Sequence, residues 1–261
     1  MCILIIKPKG KKCPSKEILE ECYNNNPDGA GICYNDKNSV FIRKGFMNFK
    51  EFLKEVRSIP KNSTALIHCR IGTSGKNSKE LTHPYKLCDS YKEMRLIRTQ
   101  LKGGDHKEFA VAHNGIFSGL GLESEICDMV NDTCVFIKKF LSPLNYNNNI
   151  LENNFDDIIE TCVDGSRLAI IDNEGNYKKY GSGWIEEADG CFYSNSSYKK
   201  VEHFFSYSDF LDNYYDAKKL KEEYPKYSKD IEYYSRCGVP SFTIRNYIEN
   251  GYFDEEDILW R

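Results

Sequence analysis

The chain is predicted to fold as a mixed α and β protein in which layered antiparallel sheets are covered by helices. Two pairs of short apolar runs are each joined by a cluster of turn-forming residues, the mark of hairpins. Segments with helical spacing stand between them without the regular strand-helix-strand alternation that builds a parallel sheet. At 261 residues the chain is long enough to bury a sizeable core without metal or disulfide staples.

The apolar run Cys2-Ile3-Leu4-Ile5-Ile6 reads as a buried strand over residues 2–7. Pro14-Ser15 opens a helix through Cys22 that stops in the cluster Asn24-Asn25-Asn26-Pro27-Asp28-Gly29. Ile32–Tyr34 and Val40–Ile42 flank the turn Asn35–Asn38 as a hairpin, and Phe49, Phe52, Leu53 and Val56 share one helical face. Strands follow at Thr64–His68 and Phe109–His113, separated by a long polar loop of the kind that serves as a lid or binding segment. Helices are expected over 133–140 and 151–162, then a second hairpin of Leu168–Ile171 and Tyr177–Tyr180, and a last strand around Cys191–Ser194. No internal repeat and no Gly-rich phosphate loop is found.

A net charge of -3, dispersed along the chain, argues against nucleic acid or a membrane surface as the main partner and favours a small substrate. Eleven cysteines, an odd number without a Cys-x-x-Cys pair, predict free thiols in a reducing cytoplasm. The apolar stretch after Met1 stops at Lys7, short of a secretory segment, and none approaches a membrane span. Cys13, Cys22 and Cys33 lack the paired spacing of zinc ligands and read as small hydrophobes, so no metal or cofactor is expected.

Three places carry candidate chemistry. Removal of Met1 would give Cys2 both a thiol and a free α-amine, a nucleophile with its own base, since the amine titrates near ~7.7–8.0. The same cysteine also suits the start of a buried strand. Asn114 and Gly115 end a strand, where a side-chain NH₂ and a backbone N–H can converge on an oxyanion, although Asn-Gly is equally an ordinary turn. Arg70 ends another strand, where its fork suits a carboxylate and equally a surface charge or structural ion pair.

Six segments, in order, resemble the class II glutamine amidotransferases among the N-terminal nucleophile hydrolases. They are Met1-Cys2, Asn26-Pro27-Asp28-Gly29-Ala30-Gly31-Ile32, His68-Cys69-Arg70-Ile71-Gly72-Thr73-Ser74-Gly75, Thr82-His83-Pro84-Tyr85, Ala112-His113-Asn114-Gly115-Ile116 and Asp132-Thr133. The resemblance covers roughly residues 2–196 and implies a four-layer α/β/β/α sandwich of two antiparallel sheets, the Ntn-hydrolase fold. It implies Cys2 as nucleophile with its α-amine as base, and Asn114 with Gly115 as the oxyanion hole. Arg70, helped by Thr73, would hold the glutamine α-carboxylate, and Asp132 the α-ammonium. Ser74 stands where some members carry His, and Cys134 where an acidic residue is frequent; the His-Pro segment at His83 is structural in the family.

The expected domains are 2–202, the amidotransferase-like part, and 203–261, a Tyr-rich helical extension packed on the core. That extension is too small for a synthase domain, so the expected activity is a glutaminase that releases ammonia from L-glutamine for a separate acceptor enzyme. Another γ-glutamyl amide is the close variant. The rival reading is an inactive family member that binds a partner through aromatic residues such as Phe204, Phe205, Tyr207, Tyr214 and Tyr215.

Overall fold

The computed structural model describes residues 2–72, 77–117, 130–152, 154–163, 165–199, 216–236 and 241–249. Its contacts divide the chain into two compact units, 1–200 and 201–261.

The first unit is mixed α and β, with two antiparallel sheets. Strands β1 (Ile3–Lys7), β2 (Ala30–Asp36), β3 (Ser39–Phe46), β4 (Ala65–Cys69), β6 (Arg98–Lys102), β10 (Ile185–Glu186) and β11 (Phe192–Tyr193) form a sheet in the order β10-β11-β1-β4-β2-β3-β6. Strands β5 (Tyr85–Lys86), β7 (Phe109–Asn114), β8 (Arg167–Asp172) and β9 (Tyr177–Tyr180) form the other, in the order β5-β7-β8-β9. Helices α1 (Lys16–Asn24) and α2 (Phe49–Arg57) belong to the larger sheet's core. Helix α4 (Asp132–Phe136), the π-helical turn Ile137–Leu141, α5 (Ser142–Leu144) and α6 (Asp156–Cys162) belong to the smaller sheet's.

The period of two along the strands builds these layers. Ile3 and Ile5 of β1, with Ala65, Ile67 and Cys69 of β4, pack with Leu19, Phe52 and Val56 from the helices. The intervening Leu4, Ile6 and Leu66 meet Ala110 and Ala112 of β7 and Ala169 and Ile171 of β8 between the sheets. The alternate residues Phe109, Val111, Leu168 and Ile170 turn the other way, onto Val135, Phe136, Ile137 and Ile159. Packing therefore runs helix, sheet, sheet, helix. The four apolar side chains Ile3–Ile6 are completely buried, and burial of each stabilises the fold by about 1.5–3 kcal/mol.

Local signals account for most boundaries. Ser15 accepts the Ile18 N–H at the start of α1, and Asn48 accepts from Lys50 and Glu51 at the start of α2. Lys37 and Asn38, both at positive φ (46° and 57°), close the β2–β3 hairpin in the geometry that matches strand twist. Gly31 is required for close approach: a Cβ there would stand 2.1 Å from the carbonyl oxygen of His83.

Two expectations need correction. The stretch between β4 and β7 is not one long loop, because β5, α3 (Tyr91–Met94) and β6 lie within it. β6 pairs with β3 as an edge strand on which only Leu101 is buried, so its sequence lacks apolar alternation. The helix expected over 151–162 begins at Asp156, since Ile150 and Leu151 are buried ahead of it in non-helical chain.

The second unit is described over three helices, α7 (216–223), α8 (Ser228–Arg236) and α9 (Ser241–Glu249). Ala217, Leu220, Ile231, Ile244 and Ile248 form its core, and Arg245 pairs with Glu223 at 2.7 Å. Lys221 of α7 lies 3.1 Å from Glu232 of α8. Phe204, Phe205, Tyr207, Tyr214 and Tyr215 lie outside the described residues.

Candidate active site

Three strand ends carry the candidate residues, and strand parity decides where they point. Cys2 extends the Leu4 and Ile6 series of β1, Arg70 extends the Leu66 and His68 series of β4, and Asn114 continues Ala110 and Ala112 of β7. All three series face the space between the sheets. The register Ile3 to Cys69, carried one residue further, brings Cys2 opposite Arg70.

The Cys2 thiol is held by the chain beyond β4. Sγ accepts the Ile71 N–H at 3.3 Å and stands 3.3 Å from the Ile71 carbonyl oxygen, to which it can donate. Asn195 fixes the Cys2 carbonyl through its side-chain amide at 2.7 Å. Burial raises the Cys2 pKa above the usual thiol value, and the Ile71 N–H and the Arg70 charge only partly offset it. At neutral pH the thiol is therefore protonated and needs a base to react.

Arg70 is 3 % exposed and sits among loop contacts. Its backbone exchanges hydrogen bonds with the turn before β2, giving its N–H to Gly29 O at 2.8 Å and accepting the Asp28 N–H at 2.9 Å. Asp28 accepts the Gly72 N–H at 2.7 Å and the Asn77 side-chain amide at 2.9 Å, while Arg70 donates to Asn77 Oδ1 at 3.4 Å. The turn cluster of residues 24–29 thus braces the segment that carries Arg70.

Asn114 is buried, and its amide nitrogen lies 2.8 Å from Ser194 Oγ, which also accepts the Leu4 N–H at 2.9 Å. Its Oδ1 is buried with no hydrogen-bond partner among the described residues, a state that costs roughly 1–3 kcal/mol. Gly115 has φ +145°, and a Cβ on it would stand 2.1 Å from Ser166 Oγ, so both backbone and space demand glycine.

Asp132, the first residue of α4, is 7 % exposed. Its two oxygens accept the Phe117 and Thr133 backbone N–H groups, each at 2.8 Å. Burial nonetheless raises its pKa, and among the described residues no cation pairs with it. Such a carboxylate is fixed in direction and gains from any cation that reaches it.

Three buried histidines surround this frame. His68 Nε2 lies 3.1 Å from the His113 carbonyl oxygen, which can only accept, so Nε2 carries the proton. Thr133 Oγ1 lies 3.1 Å from both His83 Nε2 and His113 Nδ1. Its single proton can satisfy one ring only, so at least one of the two imidazoles donates to it. Burial holds His68 and His113 down at about 3 and His83 well below the usual range, so all three are neutral at pH 7. Phe117 stacks on His113 at 3.9 Å and on Phe136 at 4.0 Å, which ties the chain after Gly115 to α4.

The hydrogen bonds and register thus join Cys2, Arg70 and Asn114 in one network, and Asp132 is linked to Asn114 through Thr133 and His113. Thr73 lies outside the described residues. Sequence reasoning did not identify Asp28, Asn77, Ser194 or Asn195 as parts of this frame. Asp28 carried a turn signal and a place in one of the resembling segments, with no role assigned to its side chain, and Ser194 finds its partners 80 and 190 residues away. Comparison with known proteins adds no further constraint: no family model and no curated protein matches the chain. Among the described residues, no helix is long and apolar enough to cross a membrane.

Proposed function

We propose that this chain is a glutamine amidohydrolase of the class II amidotransferase type with the Ntn-hydrolase fold. The observation that carries the reading is the convergence of Cys2, Arg70 and Asn114 at one end of the inter-sheet layer, each from the end of a different strand. An amide-cleaving thiol needs a base, an oxyanion site and a grip on its substrate at fixed distances. Residue types for each need meet here.

In the proposed reaction, removal of Met1 exposes the α-amine of Cys2, which takes the thiol proton. Sγ attacks the side-chain amide carbon of L-glutamine, and the carbonyl electrons pass to oxygen, where the Asn114 amide and the Gly115 N–H stabilise the charge. Collapse breaks the C–N bond, the nitrogen takes the proton, and ammonia leaves a γ-glutamyl thioester. Water then attacks the thioester, giving glutamate and the restored thiol. Arg70 and Asp132 match the α-carboxylate and α-ammonium of a free amino-acid head; the raised pKa of Asp132 would fall once an ammonium paired with it. The released ammonia serves a separate acceptor enzyme in a reducing cytoplasm.

Intact mass before and after treatment with an electrophilic glutamine analogue tests this reading. The expected result is a chain lacking Met1 that gains one adduct, lost in Cys2→Ala and blocked by excess L-glutamine. A chain that keeps Met1, or an adduct that survives Cys2→Ala, would overturn it.

A further inference from the structure

Ser194 is completely buried just after β11, and it takes no part in the reaction proposed above. Its backbone N–H donates to Leu4 O at 2.9 Å, and its hydroxyl oxygen accepts the Leu4 N–H at 2.9 Å. Ser194 is thus held at both ends by the second residue after Cys2. The next residue, Asn195, holds the Cys2 carbonyl. From that anchored position the hydroxyl lies 2.8 Å from the side-chain amide of Asn114.

The Leu4 N–H occupies one lone pair of Ser194 Oγ, and the hydroxyl proton remains to be given. Asn114 Oδ1 is a buried acceptor with no donor among the described residues. A half-turn of the amide exchanges its two ends: Oδ1 then accepts the Ser194 proton, and the NH₂ group faces away from Ser194 with both N–H bonds available. This arrangement pairs the Ser194 hydroxyl with Asn114 Oδ1 and leaves the two Asn114 N–H bonds for an incoming acceptor.

We propose that Ser194 is a positioning residue: its hydroxyl donates to Asn114 Oδ1, orients the Asn114 NH₂ for an oxyanion, and ties that donor to the strand that carries Cys2. The catalytic consequence rests on the amide-cleaving reading of the site; the orientation of the amide does not. Two arms separate them.

Neutron diffraction from the deuterium-exchanged wild-type protein reads the orientation without any activity. A deuterium on Ser194 Oγ directed at Asn114 Oδ1 is expected, and an Asn114 N–D directed at Ser194 Oγ overturns the proposal. Steady-state kinetics with L-glutamine read the consequence. Ser194→Ala is expected to lower kcat about tenfold (about 1.4 kcal/mol), with KM within about twofold, and Ser194→Thr to restore most of the loss. In an Asn114→Ala background, Ser194→Ala should have no further effect, because there is no amide left to orient. An equal loss in both backgrounds, or a change confined to KM, overturns the positioning role. The predicted deuterium in a protein without glutaminase activity would refute the catalytic reading and leave the orientation standing.

Discussion

The two ends of the layer between the sheets are built by the same strands and have opposite characters. At one end Ile6, Leu66, Ala110 and Ile171 pack as a dry core. Two to four residues along the same faces, the series becomes Cys2, His68, Arg70 and Asn114, with Ser194 filling in from just after β11. The apolar end fixes sheet spacing through burial and tolerates any side chain of suitable volume. The polar end has few apolar contacts to spend, and its atoms are placed by hydrogen bonds that each need one particular partner. Fixed polar groups on the ends of rigid strands are what a site needs, and the neighbouring core supplies the rigidity.

Substitutions at the two ends should therefore separate activity from stability. The largest effect is expected for Cys2→Ala, which removes the nucleophile: glutamine hydrolysis should fall to background in an ammonia-release assay, while the thermal midpoint stays within a few degrees. Activity close to that of the wild type would break the comparison at once. Asn114→Ala should lower kcat roughly 10²–10³-fold with KM little changed, the usual cost of one oxyanion donor. At the dry end, Ile6→Ala should cost about 2–5 kcal/mol in urea unfolding, yet leave kcat per folded molecule unaltered.

Arg70→Lys is expected to raise KM for glutamine about tenfold with a smaller change in kcat, because a lysine lacks the planar two-donor fork. Equal changes in both constants would mean that Arg70 supports the loop rather than the substrate.

The smallest effect per pH step concerns the histidines. Their folded-state pKa values lie below the unfolded value near 6.5, at about 3 for His68 and His113 and well below the usual range for His83. Protonation thus favours the unfolded chain, and the stability that depends on neutral imidazoles is fully present above about pH 6.5 and lost as pH falls toward the folded values. Urea midpoints between pH 7 and 4 should decline, and His83→Gln should make the decline shallower by up to one proton, about 1.4 kcal/mol per pH unit. An unchanged slope would show that His83 does not contribute.

The elements most legible in the sequence are those with a local cause. β1 announces itself by four consecutive apolar residues, α1 by Pro14-Ser15 at its start, α2 by its spacing, and the β2–β3 hairpin by the turn cluster Asn35–Asn38. β6 was not legible, since an edge strand with one buried side chain has no pattern to read. Cys2, Arg70 and Asn114 were named from strand ends and from a resemblance carried by ordered short segments. Ser194, Asn195, Asp28 and Asn77 were not, because their roles arise from contacts between segments distant in sequence.

By itself, then, the sequence determined the core strands β1, β2, β3, β4, β7, β8 and β9 and the helices that cover them, because side-chain alternation and capping are properties of neighbouring residues. Only the tertiary structure decided that the ends of β1, β4 and β7 meet, that Asp28 braces Arg70, and that Ser194 reaches Asn114. Those outcomes depend on strand register and sheet stacking, and a register shift of one residue would turn Cys2 and Arg70 to the opposite face. The physical reason is range: local preferences act over a few residues, whereas the hydrogen bonds that join Asn114 to Ser194 and Cys2 to Asn195 link residues 80 and 193 positions apart.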